Sequence, residues 1–595
     1  MENRKTKFSF SFKEQVQILK HMFSYARKFW PSFLLAFVCM IFVAMITAYL
    51  PIVIQRYLDQ VVNGGEGSYS QTTRAALTYL GLVILKMLFV YIEDYSFNMA
   101  SEHTVSRMRN RLYHKVVNLG MRFFDQVPTG SIVSRVTNDT ETVKEFWRVF
   151  LSFFDGIFNA VSIAIAMFSL NTKIATIVVS FTPVMILLVW IYQRFSTIIY
   201  QKMRQALSRL NAKLSESIAG MDIIQFFNQE KRMAQEFDDV NQAYVVARKN
   251  MFKMNALLLM PAINLIEGIV LVIVIWLAGR QYLSGLAVDI GVIYAFASYS
   301  KAFFHPIGGM MDSLSIYQDG LVSGWRIQNI LNRDDDAPEA LPHANGRITE
   351  GEIAIKNLSF AYDGKNEILH DISLKADAGQ TIAFVGHTGS GKSSIINVLM
   401  RFYQFQQGRV LIDGQPIEEI PIKELRRNVG LVLQDSFMFY GDIAGNIRLH
   451  GDYSDEDVKE AAQFVNANQF IEELDGKYHA RVIEGGKAFS IGQKQLLSFA
   501  RTIIRQPKIL ILDEATSNID TETELIIQDG LKKMREGRTT IMIAHRLSTI
   551  RDADCIYVLR DGEIAEAGNH EALLKQKGIY YDMYRLQTYQ ENRNN

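Results

Sequence analysis

The residues from 386 to 393, Gly-His-Thr-Gly-Ser-Gly-Lys-Ser, have the types and spacing of a loop that wraps a polyphosphate. Gly386, Gly389 and Gly391 let the backbone curl tightly, so that the N–H groups of the loop, among them those of His387, Thr388 and Ser390, can point at phosphate oxygens. The apolar run Thr381 to Val385 is predicted to enter the loop as a strand. Ser394 to Phe402 is predicted to leave it as a helix whose N-terminus adds positive potential. Lys392 is then expected to reach the β- and γ-phosphates and Ser393 to offer a hydroxyl to Mg²⁺. A Gly/Ser-rich turn before an ordinary helix would look similar, but a second motif with matching chemistry lies downstream.

That second motif is Ile509-Leu510-Ile511-Leu512-Asp513-Glu514, an apolar run suited to a buried parallel strand that ends in two acids. Asp513 is expected to hold Mg²⁺ through its water shell, and Glu514 to orient or deprotonate an attacking water. Phosphoryl transfer asks mainly for positioning and charge neutralisation, and one carboxylate beyond the metal ligand suits a water nucleophile. His545 closes a predicted strand from Thr540 to Ala544, which places it to touch a γ-phosphate. Tyr362 ends a predicted strand from Ile353, just before Asp363-Gly364, where a ring can stack on adenine.

The elements that must position these groups occupy only half of the chain. Its 595 residues are 49% hydrophobic yet 21% charged, and the two properties are segregated. Long apolar runs extend to about residue 305; short strands, helices and glycine turns follow from about 345. A formal net charge of +1, with no basic patch carrying interleaved aromatics, gives no reason to expect a nucleic-acid partner. The two cysteines, Cys39 and Cys555, supply neither a disulfide framework nor a metal site. The first apolar run starts late, is too long for a cleavable leader and ends without a cleavage site.

Residues 10–28 read as a basic amphipathic helix lying in the headgroup plane, with Phe12, Val16, Leu19 and Phe23 on one face. Six spans follow at 33–56, 75–98, 148–170, 173–194, 256–279 and 287–305, each near the roughly 20 apolar residues needed to cross a bilayer. The long connections after spans two and four are rich in Lys and Arg, including Arg107, Arg109, Lys202 and Arg204, and read as helices continuing into the cytoplasm. Both termini are then cytoplasmic. These helices are interrupted at Phe123–Gly130 and Gly220–Asn228, predicted as short turns that dock on the soluble half or simply close a hairpin. An ionisable residue at mid-span costs about 2.5–3.5 kcal/mol to insert, so such residues invite a function. Glu267, three residues after Asn264, is the sharpest case, and with Asp155 it is expected to face a cavity that draws cationic amphiphiles. Lys86, Glu93 and Asp94 read as an internal ion pair or as acids reaching water. Phe296 and Tyr299 are candidate walls, although an aromatic stripe at helical spacing is more often packing. The expected architecture is an all-α, six-helix membrane domain (1–325), a linker (326–348) and an α/β phosphate-loop domain (349–595).

Further stretches carry a resemblance. Gln434 follows a predicted strand from Val429 to Leu433, Ser490-Ile491-Gly492-Gln493-Lys494-Gln495 precedes a helical run, and Ser517-Asn518-Ile519-Asp520 follows Glu514. With the motifs above, the whole chain resembles an ATP-binding cassette half-transporter of the six-helix exporter type. The resemblance implies that Tyr362 stacks adenine, that Ser394 joins the phosphate loop in holding ATP, and that Gln434 is the glutamine loop and a Mg²⁺ contact. It further implies that Ser490, Gly492 and Gln493 are the signature, Asp520 the D-loop acid and His545 the switch histidine. The regions Phe124–Arg135 and Gly220–Arg232 resemble cytoplasmic loops with coupling helices at their tips, and Glu484 lies where the family has a cross-linking loop. One departure stands out: Ile491 replaces a glycine of the signature, adding bulk and backbone restriction where a phosphate should approach. The chain thereby resembles one subunit of bacterial heterodimeric multidrug exporters. A different partner with an intact signature, a lipid bilayer, an amphiphilic small-molecule cargo, ATP and Mg²⁺ are the implied companions. Lipid, peptide or siderophore cargo is the alternative within transporters, and an ATP-gated channel or nucleotide sensor the alternative outside them.

Overall fold

The computed structural model describes all residues except 1–9, 65–68, 284–288, 336, 435, 450, 484, 514–520, 544–549 and 595. The chain divides into two compact units, Met1–Val117 with Thr129–Arg333, and Asn118–Pro128 with Asp334–Asn595.

The first unit is helical. α1 (Phe12–Ala26) begins with a capping box between Ser11 and Glu14 and buries Ile18, Met22 and Tyr25. α2 (Trp30–Gly64) and α3 (Tyr69–Val117) follow. At 49 residues α3 is about 74 Å long, more than twice the hydrocarbon thickness, so the predicted continuation beyond the bilayer is a single helix. α4 (Met121–Gln126) belongs to the second unit, after which α5 (Thr129–Val136) and α6 (Asn138–Leu170) return to the first. α7 (Thr172–Ser180) and α8 (Thr182–Ala219) divide one predicted span, because Pro183 has no N–H to continue the helix. α9 (Met221–Phe226) joins α8 to α10 (Glu230–Leu258), and α11 (Met260–Leu283) and α12 (Ile290–Leu331) complete the unit. The predicted turns near 125 and 224 are therefore short helices.

Five stretches among the described residues are long and apolar enough to cross a membrane, the last being Glu230–Arg280. α12, which contains the expected sixth span, is not among the five; Ser298, Ser300, Lys301 and His305 dilute its apolar run. Outward-facing Leu77, Ile84, Met87, Trp190, Leu265 and Trp276 are exposed, as lipid contact requires and water would penalise.

α2, α3, α6 and α12 pack as one bundle. Close approach of α6 to α12 rests on small residues: a Cβ at Gly320 would lie 2.5 Å from the Phe146 side chain. Below that contact Asp139 is buried, accepting hydrogen bonds from Ser323 Oγ (3.0 Å) and Arg326 Nη1 (3.3 Å). Burial pushes its carboxyl pKa up, and the Arg326 charge opposes that shift.

The second unit has two principal sheets. β1 (Ile353–Phe360), β2 (Leu369–Ala376), β4 (Gln407–Ile412) and β5 (Gln415–Pro416) form an antiparallel sheet in the order β2-β1-β4-β5. β3 (Thr381–Val385), β6 (Val429–Val432), β9 (Ile509–Asp513), β10 (Thr539–Ile543), β11 (Cys555–Arg560) and β12 (Glu563–Gly568) form the other, in the order β12-β11-β3-β10-β9-β6. Every pairing in it is parallel except β11 with β12. β3 and β10 are buried at every residue, consistent with helices on both faces. β7 (Gly441–Asp442) and β8 (Arg481–Val482) make a small ribbon.

The Gly320 contact makes a direct prediction. Gly320→Val inserts branched bulk against Phe146 and should cost about 1–3 kcal/mol, lowering the thermal unfolding midpoint of the purified protein. An unchanged midpoint would contradict the packing described for α6 and α12.

Candidate functional site

The parallel sheet brings the predicted phosphate chemistry to one edge. In the order β3-β10-β9-β6, the C-terminal ends of neighbouring strands present the loop after Val385, then Ile543, then Asp513, then the segment after Val432 that contains Gln434. A cavity of about 310 Å³ opens there, lined by Thr388, Gly389, Gly391, Lys392, Ser393, Ser394, Gln434 and Asp513. Residues separated by more than a hundred positions thus meet because a crossover sheet aligns its strand ends.

The loop requires glycine at its first position. Gly386 has φ +152°, and a Cβ there would lie 2.3 Å from the Leu559 carbonyl oxygen on β11. Lys392 begins α13 (Lys392–Leu399) and is buried, its Nζ donating to the carbonyl oxygens of Gly386 (2.8 Å) and His387 (3.0 Å). Those bonds draw the ammonium back across the loop into the cavity mouth. Ser390 Oγ is buried with no hydrogen-bond partner, a polar atom that a phosphate oxygen would satisfy. Close backbone, buried ammonium and orphaned hydroxyl together fit a polyphosphate.

Tyr362 stands beside α13. Its hydroxyl shares a hydrogen bond with Ser394 Oγ (3.1 Å) and accepts one from Asn397 Nδ2 (2.8 Å). Ser394 is thereby tied to the tyrosine. The Tyr362 ring packs edge-on against Phe360 (4.8 Å) and Tyr403 (4.7 Å). Tyr403 in turn donates a hydrogen bond to the carboxylate of Asp125 on α4. Burial, reinforced by that carboxylate, raises the Tyr403 pKa and keeps its hydroxyl protonated. Backbone bonds from Gly120 N–H to Asp335 O (2.8 Å) and Ala337 N–H to Asn118 O (3.3 Å) hold the same segment. A continuous set of side chains thus runs from α4 to the first turn of α13.

Ser490 caps the helix Ile491–Ile503 with a capping box: its Oγ accepts from Gln493 N–H (3.1 Å), and Gln493 Oε1 accepts from Ser490 N–H (3.0 Å). Arg501, on the same helix, donates to Phe437 O (2.9 Å) and Asn446 O (2.8 Å), tying it to the segment after Gln434. Burial brings the Arg501 pKa down to about 10, which leaves it cationic at neutral pH. Ser490, Gly492 and Gln493 do not line the cavity of their own chain, and Ile491 is half exposed at the open end of its helix. Glu484, Glu514, Asp520 and His545 lie outside the described residues.

In the first unit the expected substrate residues separate. Asp155 lines a polar cavity with Lys86, Glu93, Asp94, Lys301 and His305, and Glu267 and Asn264 on α11 are not among the residues lining it. Phe296 and Tyr299 are fully buried, and the Tyr299 hydroxyl donates to Ala48 O (2.6 Å). They are packing rather than wall. Glu93, flanked by Ile92 and Asp94, becomes the buried acid of the cavity, which its position in the sequence does not reveal.

Comparison with known proteins agrees with this construction. Residues 33–307 match the family model described as ABC transporter transmembrane region, and residues 369–517 the model described as ABC transporter. The chain is 43% identical over 576 residues to exp8 of Streptococcus pneumoniae, described as an ABC transporter ATP-binding protein, covering 96% of this chain and 98% of the relative. It is 40% identical over 518 residues to YheH of Bacillus subtilis, described as a multidrug resistance ABC transporter ATP-binding/permease protein, covering 86% and 76% respectively. A solved bacterial Atm1-family ABC exporter with ATP bound superposes with a TM-score of 0.76 at 26% identity, over 93% of this chain and 97% of that one. The helical unit, the phosphate loop and these similarities identify the chain as a member of the ABC transporter family, an exporter with its membrane and ATP-binding domains in one polypeptide.

Proposed function

We propose that the chain is one half of a heterodimeric exporter that uses ATP hydrolysis to move lipophilic or cationic amphiphilic compounds out across a bacterial cytoplasmic membrane. The observation that carries this reading is the incomplete nucleotide site: the cavity around Lys392 lacks the signature residues, which sit elsewhere in the same chain with Ile491 at their centre. A second chain with an undamaged signature would complete it. The tip helix α9 points the same way, since Ile223, Phe226 and Phe227 are 65%, 79% and 62% exposed, an apolar end that calls for a partner surface. The basic residues of the long cytoplasmic connections support the orientation, with both termini and the ATP-binding unit inside.

Within the site, the loop from Gly386 to Ser394 would cradle the phosphates, Lys392 would neutralise the β- and γ-oxygens, and Tyr362 would face the base. Ser393, Gln434 and Asp513 offer the oxygen donors that suit Mg²⁺, which when bound would offset phosphate charge. Glu514 would orient the attacking water, with His545 and Asp520 completing the contacts to it and to the partner. Closing two chains around ATP favours one membrane conformation only through differential affinity. A near-complete switch needs about 5.5 kcal/mol. The Asp125–Tyr403–Tyr362 path would transmit that closure, since α4 is continuous with the helices α3 and α5.

The cargo class follows from charge. Mycobacterial relatives 33% identical over 530 residues are described as fatty acid transporters. In this chain Glu93, Asp94 and Asp155 line the cavity of the helical unit beside Lys86 and Lys301, and a carboxylate cargo would meet an excess of charge of its own sign.

Transport of ethidium into inverted membrane vesicles tests the reading. The complex isolated through a tag on this chain should accumulate the dye with ATP, and Glu514→Gln should abolish uptake while retaining ATP binding; near-normal hydrolysis in that variant would remove Glu514 from its role. Tyr403→Phe deletes the bond to Asp125 but keeps the ring on Tyr362. It should lower dye moved per ATP by about fivefold, with hydrolysis changed by less than about twofold. A transport-to-hydrolysis ratio equal to the parent's would disconnect this path from coupling.

A further inference from the structure

Two cavities in the helical unit occupy adjacent turns of the same three helices. One, about 430 Å³, is an aromatic box walled chiefly by Trp30, Phe33, Phe37, Phe97, Trp147 and Phe154, with Arg27 the charged residue of its lining. Its rings interlock edge to face or tilted: Phe33 lies 5.2 Å from Phe97 and 5.6 Å from Trp147, and Phe37 lies 5.0 Å from Phe154. The other, about 760 Å³, is lined by Lys86, Glu93, Asp94, Asp155, Lys301 and His305, with Thr47, Asn159 and Ser298 among its neutral polar walls. On α3, Glu93 stands one turn from Phe97; on α6, Asp155 follows Phe154 directly; on α2, Val43 lies less than two turns beyond Phe37.

Glu93 decides what the pair of cavities can hold. It is only 7% exposed, lines the polar cavity, and has no hydrogen bond or ion pair among the described residues. Asp155 differs, its Oδ1 accepting from Asn159 Nδ2 (2.7 Å). A desolvated carboxylate with no partner is costly, and either a proton or an arriving cation relieves it. The two lysines leave the three carboxylates with one negative charge in excess when His305 is neutral. An aromatic box beside an acidic cavity presents quadrupole faces and a formal negative charge to the same visitor.

We propose that the aromatic box and the acidic cavity form one binding site for an amphiphilic organic cation, with its apolar body among Phe33, Phe37, Phe97 and Trp147 and its positive group at Glu93. This rests on the reading of the chain as an exporter of such compounds, and it assigns the charge recognition to Glu93 rather than to Glu267. An anionic amphiphile of the same bulk would fit the box but be repelled at Glu93, Asp94 and Asp155.

The test uses the complex isolated through a tag on this chain and placed in lipid nanodiscs. Two fluorescent probes are titrated, ethidium as an aromatic cation and N-phenyl-1-naphthylamine as a neutral one. Glu93→Gln should weaken ethidium binding roughly tenfold or more and leave the neutral probe within about twofold. Glu93→Asp, which keeps the charge, should recover most of the ethidium affinity, and Phe154→Ala should weaken both probes. Ethidium binding within about twofold of the parent in Glu93→Gln, or equal loss of both probes, would overturn the assignment. If Glu93→Gln does not assemble, Asp155→Asn carries the same expectations and the same contrary results. Ethidium export at the parent rate by Glu93→Gln would sink the site and leave the exporter standing; a parent complex that neither binds nor exports ethidium would overturn both.

Discussion

The backbone path from Gly386 to Lys392 is the constraint on which the ATP-binding unit depends. At Gly386 the chain runs so close to β11 that a single Cβ would collide with the Leu559 carbonyl, and the turn returns the Lys392 ammonium to the carbonyls of Gly386 and His387. The path exists only because β11 lies parallel beside β3, and the sheet order then places β10, β9 and β6 on the other flank. Asp513 and Gln434 reach the same cavity as a consequence of strand order, with no contact to the loop in sequence. Topology acts here as the assembly step of the site.

The same unit also holds α4 through Asp125, Gly120 and Asn118. A change in how Tyr362 and α13 are held therefore meets, two rings away, the segment that joins α3 to α5. The helix Ile491–Ile503 and the tip helix α9 show the complementary property, with Ile491, Ile223 and Phe226 exposed. Under the proposed function, one polypeptide would supply an ATP site and a coupling contact, and would leave a signature and a tip for another polypeptide to use.

How much of this was legible in the sequence varied with the range of the interaction. The phosphate loop and Asp513 could be read because phosphate chemistry needs those residue types at fixed local spacing, and strand ends were misplaced by no more than a residue or two, Tyr362 lying just beyond Phe360. The Tyr403–Asp125 bond joins residues 278 positions apart and has no local signal. Intramembrane charges could be enumerated but not grouped, since grouping depends on which faces of α3, α6 and α12 converge. Hence the sequence groups Glu267 with Asp155 although Glu267 lies on α11, and it leaves Lys86, Glu93 and Asp94 open between an internal ion pair and acids reaching water. The aromatic stripe on α12 was ambiguous for the same reason, and the Tyr299 bond to Ala48 resolves it as packing. Ser298, Lys301 and His305 made α12 a weaker span by apolarity than its position suggested, and the same residues face the polar cavity.

The most direct test of an asymmetric, two-chain ATP site is the stoichiometry of nucleotide trapped by vanadate in the complex isolated through this chain. One trapped nucleotide per dimer, cross-linked to the polypeptide carrying Lys392 and lost in Lys392→Ala, is the result this account predicts. A self-dimer of this chain that traps two nucleotides and transports at full rate would contradict it.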